Sequence, residues 1–220
     1  MAWGFLLALA LVLGLAWGMG RAAARRRRTT FIDDYVFHPA VFNKFRAVRP
    51  GLTEAQEELV FAALREYFHL CNRAGRRMVA MPSQVVDDAW HAFILYTRAY
   101  EQFCRGALGR FLHHTPAEAM AAPTMAQDSI KRAWRLACAH DGIDPKKPAR
   151  LPLLFAIDGE LDIPDGFRYT LNCMTGKGTQ NAGYCASHIG CGGGCGGDGG
   201  GSDGVGCGET AVEAAGAIRP

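Results

Sequence analysis

The sequence predicts an all-α protein: a small bundle of four to five helices behind a single N-terminal transmembrane helix, with a disordered Gly/Cys-rich tail at its C-terminus. Three observations lead there. Residues 2–20, "AWGFLLALALVLGLAWGMG", are apolar and hold no charge. Between residues 30 and 142 apolar side chains recur with helical period, punctuated by Pro and Gly. Residues 173–220 are dominated by Gly and lack the apolar content a core requires.

The N-terminal run comes first. At ~1.5 Å per residue it spans roughly 28 Å as a helix, close to the thickness of a bilayer core. A cleaved signal peptide carries its positive charge ahead of the apolar stretch. Here Arg21 and Arg25–Arg28 follow it, so residues 1–28 read as a retained anchor with a charged stop. The positive-inside rule then sets the N-terminus outside and the C-terminal domain in the cytoplasm, at the inner membrane of a cell. The bilayer is thus one expected partner, through residues 2–20, and a protein partner is a second candidate.

Charge argues against a nucleic-acid partner. The chain has 24 Lys+Arg and 21 Asp+Glu, for a net +3. The five arginines beside the anchor account for that excess, which leaves no basic face on the rest. A cytoplasmic setting also changes the reading of the eight cysteines. Thiols stay reduced there, so metal binding or burial is favoured over a disulfide framework.

The helical region, residues 30–142, opens with "HPAVFNKF", a short helix with Pro39 in its first turn. In "LTEAQEELVFAALREYFHLCNRAG", Thr53 is the expected N-cap and Glu54, Glu57 and Glu58 suit the positive end of the helix dipole. Leu59, Ala62, Ala63, Tyr67 and Leu70 form the apolar stripe, and Gly75 is the stop. Ser83 caps a helix through "VVDDAWHAFIL", and "TMAQDSIKRAWRLACAH" makes another, closed by Gly142. Residues 143–172 are Pro-rich and read as an irregular extension packed on the helices, with the apolar run "LPLLFAID" inside it.

The chemistry-bearing stretch is "DDAWHAFILYTRAYEQFC", followed by "GRFLHH". On one unbroken helix, His91 and Cys104 would be ~20 Å apart along the axis, so they could not share an ion. A break at Thr97, with Thr97 capping a second helix that ends at Gly106 or Gly109, would let His91, Cys104 and His113 or His114 converge. These are borderline-soft ligands suited to zinc, with Asp87 as hydrogen-bond partner to the imidazole of His91. The competing reading is structural: Asp87 pairs with His91 at i,i+4, Trp90 and Tyr100 shape the core, and Cys104 is a small buried hydrophobe. A Cys-His catalytic pair is a third reading. His38, His69 and His140 each stand alone in the sequence, as helix-end or surface residues.

This stretch resembles the central motif of the glycine-rich domain-containing-protein-like family, whose bacterial members include functionally uncharacterised, membrane-anchored proteins. The matching residues are Asp87, Trp90, His91, Tyr100, Cys104, and His113 or His114. The resemblance implies a helical fold from about residue 31 to the tail. Relatives often carry proline at the position of Thr97, which favours the broken helix. They often carry a second histidine where this chain has Phe93, a departure that weakens a His-x-His metal site.

The tail offers a separate ligand set. Cys185, His188, Cys191 and Cys195 are spaced C-x2-H-x2-C-x3-C, and flanking glycines let the backbone wrap an ion, zinc or another thiophilic metal. Cys173 and Cys207 are alternates. The bland reading is a low-complexity segment without a fixed role. Taken together, the sequence predicts a single-pass membrane protein whose cytoplasmic helical domain binds or scaffolds rather than catalyses. The alternative is a metal- or thiol-dependent enzyme using His91, Cys104 and His113/His114.

Overall fold

The computed structural model describes residues 2–115, 123–171, 184–185 and 189. Its elements are α1 (Ala2–Asp33), α2 (Pro39–Val48), α3 (Glu54–Ala74), α4 (Gln84–Ile94), α5 (Thr97–Leu108), α6 (Pro123–His140) and α7 (Leu153–Glu160). Two short parallel strands, β1 (Tyr169–Thr170) and β2 (Tyr184–Cys185), pair Tyr169 with Tyr184 and Thr170 with Cys185. The all-α class is as expected, with seven helices among the described residues rather than an anchor plus four or five.

Local chemistry sets most of the helix ends. The imidazole Nδ1 of His38 accepts from the Ala40 amide at 3.1 Å and caps α2, with Pro39 at the first helical position. Thr53 caps α3 in a reciprocal capping box with Gln56. Ser83 caps α4 through the Val86 amide. The expected break falls between Ile94 and Thr97, but Tyr96 occupies the cap position and Thr97 is the first helical residue. Helix α5 runs through Gly106 and stops at Gly109, which adopts the left-handed conformation with φ 66°. Gly106 has a different task. A Cβ there would lie 2.6 Å from the Phe31 ring, so glycine lets α1 pack directly on α5.

Helix α3 is the hub and touches all six other helices, α2 through Phe42 and Phe45 against Phe61. Its buried surface is wider than a stripe: Val60, Phe61, Ala63, Leu64, Tyr67, Phe68, Leu70 and Cys71 are all buried, whereas Ala62 is exposed. Around it Phe37, Phe68, Phe93 and Phe103 interlock, with Phe37–Phe93 edge-to-face at 5.1 Å and Phe68–Phe103 at 4.6 Å. Such pairs add about 0.5–1.5 kcal/mol each beyond burial. The end of α1 belongs to the same core, since Ile32 is fully buried.

Residues 143–172, expected to be irregular, contain α7. Its Leu154, Phe155 and Ile157 are buried, and Phe155 meets Trp134 of α6 edge-to-face at 5.1 Å. Asp158 of α7 is buried too, and its carboxylate accepts from Ser83 Oγ (2.7 Å) and from the amides of Gln84 (2.7 Å), Val85 (3.2 Å) and Phe167 (2.9 Å). A carboxylate from 74 residues downstream thus caps α4 together with Ser83.

Among the described residues no helix is long and apolar enough to cross a membrane. Most side chains of residues 1–10 lie outside the described set. From residue 11 onward, Leu11, Val12, Leu13, Leu15, Trp17 and Met19 of α1 are exposed.

Candidate metal centre

Helix α4 presents Asp87 in its first turn and His91 one turn later, on one face. His91 Nδ1 lies 3.7 Å from Asp87 Oδ2. The third member arrives from beyond α5: His114 Nε2 stands 3.1 Å from Asp87 Oδ1, and its ring centroid is 4.3 Å from that of His91. One ligand atom from each of Asp87, His91 and His114 falls within 4.8 Å of the other two. All three are partly exposed, so an ion can reach them.

A hydrogen-bond relay explains how His114 gets there. Trp90 donates its indole N–H to the Tyr100 hydroxyl at 3.1 Å, and that hydroxyl donates to the Leu112 carbonyl at 2.6 Å. The relay fixes the segment leaving α5 two residues before His114, and the Trp90 ring then packs edge-to-face on the His114 ring at 4.8 Å. Both residues singled out as structural parts of the motif therefore hold the histidine, from within the core. Arg49 anchors the other side of α4 by pairing with Asp88 at 2.5 Å and, through two nitrogens, with Asp165.

The other candidates sit elsewhere. Cys104 is fully buried in the core, and burial pushes its thiol above the ordinary range against an opposing hydrogen bond from the Leu112 backbone. His113 is exposed and meets Phe111 edge-to-face at 4.8 Å. Neither joins the cluster, whereas Asp87, expected as a partner behind the ligands, stands among them. Phe93 is buried against Phe37 and Tyr100, where an imidazole would have to find polar partners in an aromatic core. Of the tail set, Cys185 contributes its backbone to β2; His188, Cys191 and Cys195, like Cys173 and Cys207, lie outside the described residues.

Two histidines expected to stand alone do not. His69 pairs with Asp33 at 2.7 Å and its ring stacks on that of His140 at 5.6 Å and 25°. His140 also gathers with Glu66 and Asp141. The separations in sequence, 36 residues for His69–Asp33 and more for Glu66–His140, hid both groupings. A cleft between the end of α2 and the start of α3, bounded by Arg46, Arg49, Pro50 and Glu57, includes none of these residues.

Two imidazoles and one carboxylate form an N2O donor set, common to zinc sites that keep an open coordination position and to the facial triads of non-haem iron. The arrangement can hold a divalent transition metal by three protein ligands and leave room for water. No curated protein and no solved structure matches the chain. The UCP032817-like family model matches residues 27–189, a span that takes in α2 to α7, all three clustered residues and the relay that holds them. With well over half of its length matched, the chain belongs to the UCP032817-like family.

Proposed function

We propose that this protein is a metal-binding helical domain tethered to a membrane, with Asp87, His91 and His114 holding one zinc ion. The observation that carries the reading is the convergence of these three ligand atoms within 4.8 Å of one another. In this reading the ion displaces any proton shared between Asp87 and the two imidazoles, and water completes its coordination. The tether is the uncharged run 2–20. Two facts support it: exposed apolar side chains ring α1 from Leu11 to Met19, and α1 continues without interruption to Ile32 in the core. The arginines after the run place the domain on the cytoplasmic side. The resemblance to glycine-rich domain-containing proteins belongs to the same reading.

The open coordination position favours one extension, metal-assisted hydrolysis by a bound water of lowered pKa. The thiol-dependent version has less behind it, because a buried thiol whose pKa is raised is a poor nucleophile.

The test is zinc content, with Co2+ as a spectroscopic probe, in the full chain purified in detergent without a metal-binding tag. Asp87→Asn, His91→Ala and His114→Ala should each weaken binding at least about tenfold, and His113→Ala should leave it unchanged. Binding that survives all three replacements would overturn the assignment. Carbonate extraction of membranes from expressing cells checks the tether: release of the protein into the soluble fraction would refute it.

A further inference from the structure

We propose a second divalent-cation site on the C-terminal half of α3, formed by Glu66, His140 and Asp141, with a donor set of two carboxylates and one imidazole suited to a Mn2+-like ion. One ligand atom from each residue lies within 4.8 Å of the other two. The second observation is independent of that clustering. Glu66 is only 5% exposed, and its Oε1 is buried without a hydrogen-bond partner. A buried carboxyl oxygen left unpaired has lost its water partners with nothing in return, and native proteins rarely retain one without a purpose. A cation held between Glu66, His140 and Asp141 would satisfy it.

The neighbours are arranged for such an ion. Asp141 is oriented from behind, its Oδ2 accepting from the Leu153 amide at 3.1 Å and from Arg150 at 3.2 Å. His140 ends α6 on the exposed surface and provides the entry side. Its ring lies flat on His69, itself tied to Asp33 at the end of α1. The facing cations are few. Arg150 is 61% exposed and contacts Asp141 without a salt bridge to Glu66 among the described pairs, and Arg73 acts on His140 from a distance. Carboxylate ligands suit Mn2+, and thiolates compete poorly for it. Bound there, the ion would lock the end of α6 onto α3 and, through His69, onto the end of α1.

The experiment is Mn2+ titration of the full chain in detergent, read as loss of the free-ion EPR signal, in a His91→Ala/His114→Ala background that removes the first site. One Mn2+ should bind, and adding Glu66→Gln or His140→Ala should weaken it at least about tenfold. Glu66→Gln keeps the volume and, like the protonated acid, is neutral, and His140→Ala truncates an exposed side chain, so both variants should keep the helical circular dichroism of the parent. No bound Mn2+ in the background protein, or binding indifferent to both replacements, would overturn the proposal. The two sites fail separately. If His91→Ala/His114→Ala costs no zinc while Glu66→Gln abolishes Mn2+ binding, the first assignment falls and this one stands.

Discussion

Replacing Asp158 with alanine removes one carboxylate from α7, three acceptor contacts from the start of α4 and a fourth from the Phe167 amide. Two of the donors, Ser83 Oγ and the Val85 amide, are buried, and no water can replace the lost partner without opening the core. The Gln84 and Phe167 amides are partly buried, and water can reach them. Hydrogen bonds to a charged group contribute about 1.5–3 kcal/mol each. Charging about 1.5–2 kcal/mol for each buried donor and little for the others gives a loss of about 3–4 kcal/mol. Against a total stability of about 5–15 kcal/mol that is a large fraction. For a domain of this size it corresponds to a Tm drop of roughly 10 °C. Urea unfolding followed by circular dichroism is the assay, with the midpoint moving and the slope unchanged. Asp158→Asn keeps one acceptor and should lose about half as much. The proposed metal site should respond as well, because Asp87 lies in the turn that Asp158 caps. Its affinity should therefore fall although Asp158 is no ligand. A loss under about 1 kcal/mol for Asp158→Ala would refute the view that this carboxylate holds α4 in place.

Trp90→Phe keeps the ring in the core but removes the donor to Tyr100; the variant should lose about 1 kcal/mol and bind metal more weakly, as measured by Co2+ titration. Cys71, Cys104 and Cys138 are buried, and their thiols are pushed upward by burial, Cys71 and Cys138 to about 12. Peptide mass spectrometry after iodoacetamide treatment should find these three unmodified in the native protein and alkylated once urea unfolds it. Rapid native labelling of Cys104 would revive the thiol-dependent reading. For Glu66 the folded carboxyl is raised from 4.5 to about 8, so between those values the folded state holds a proton that the unfolded state has released. Its contribution is full below about pH 4.5 and is lost as pH rises through about 8. Metal-free protein should accordingly destabilise from pH 5 to 8 more steeply than Glu66→Gln, by urea midpoints at each pH; parallel profiles would refute the shift.

What the sequence by itself determined lies within one or two helical turns. Thr53, Ser83 and Pro39 mark helix starts, and Gly75, Gly109 and Gly142 mark ends, because caps and left-handed turns are satisfied by neighbours a few residues away. The break near Thr97 was left open by the residues themselves and was favoured only by the resemblance; in the structure Tyr96 takes the cap. The pairing of Asp87 with His91 follows from i,i+4 spacing alone. Helix α7 was hidden because eight apolar-rich residues between prolines carry too little periodicity to tell a helix from a buried irregular run. The wide burial of α3 was hidden because its amphipathic stripe marks only the face that any partner would cover, and six helices cover this one. Tertiary structure alone decided the partners in the long-range groups: Asp158 under α4, His114 over Asp87, and His140 against Glu66. Each depends on where two distant segments cross, and that is settled by the packing of Phe37, Phe68, Phe93 and Phe103 around α3 rather than by any spacing along the chain.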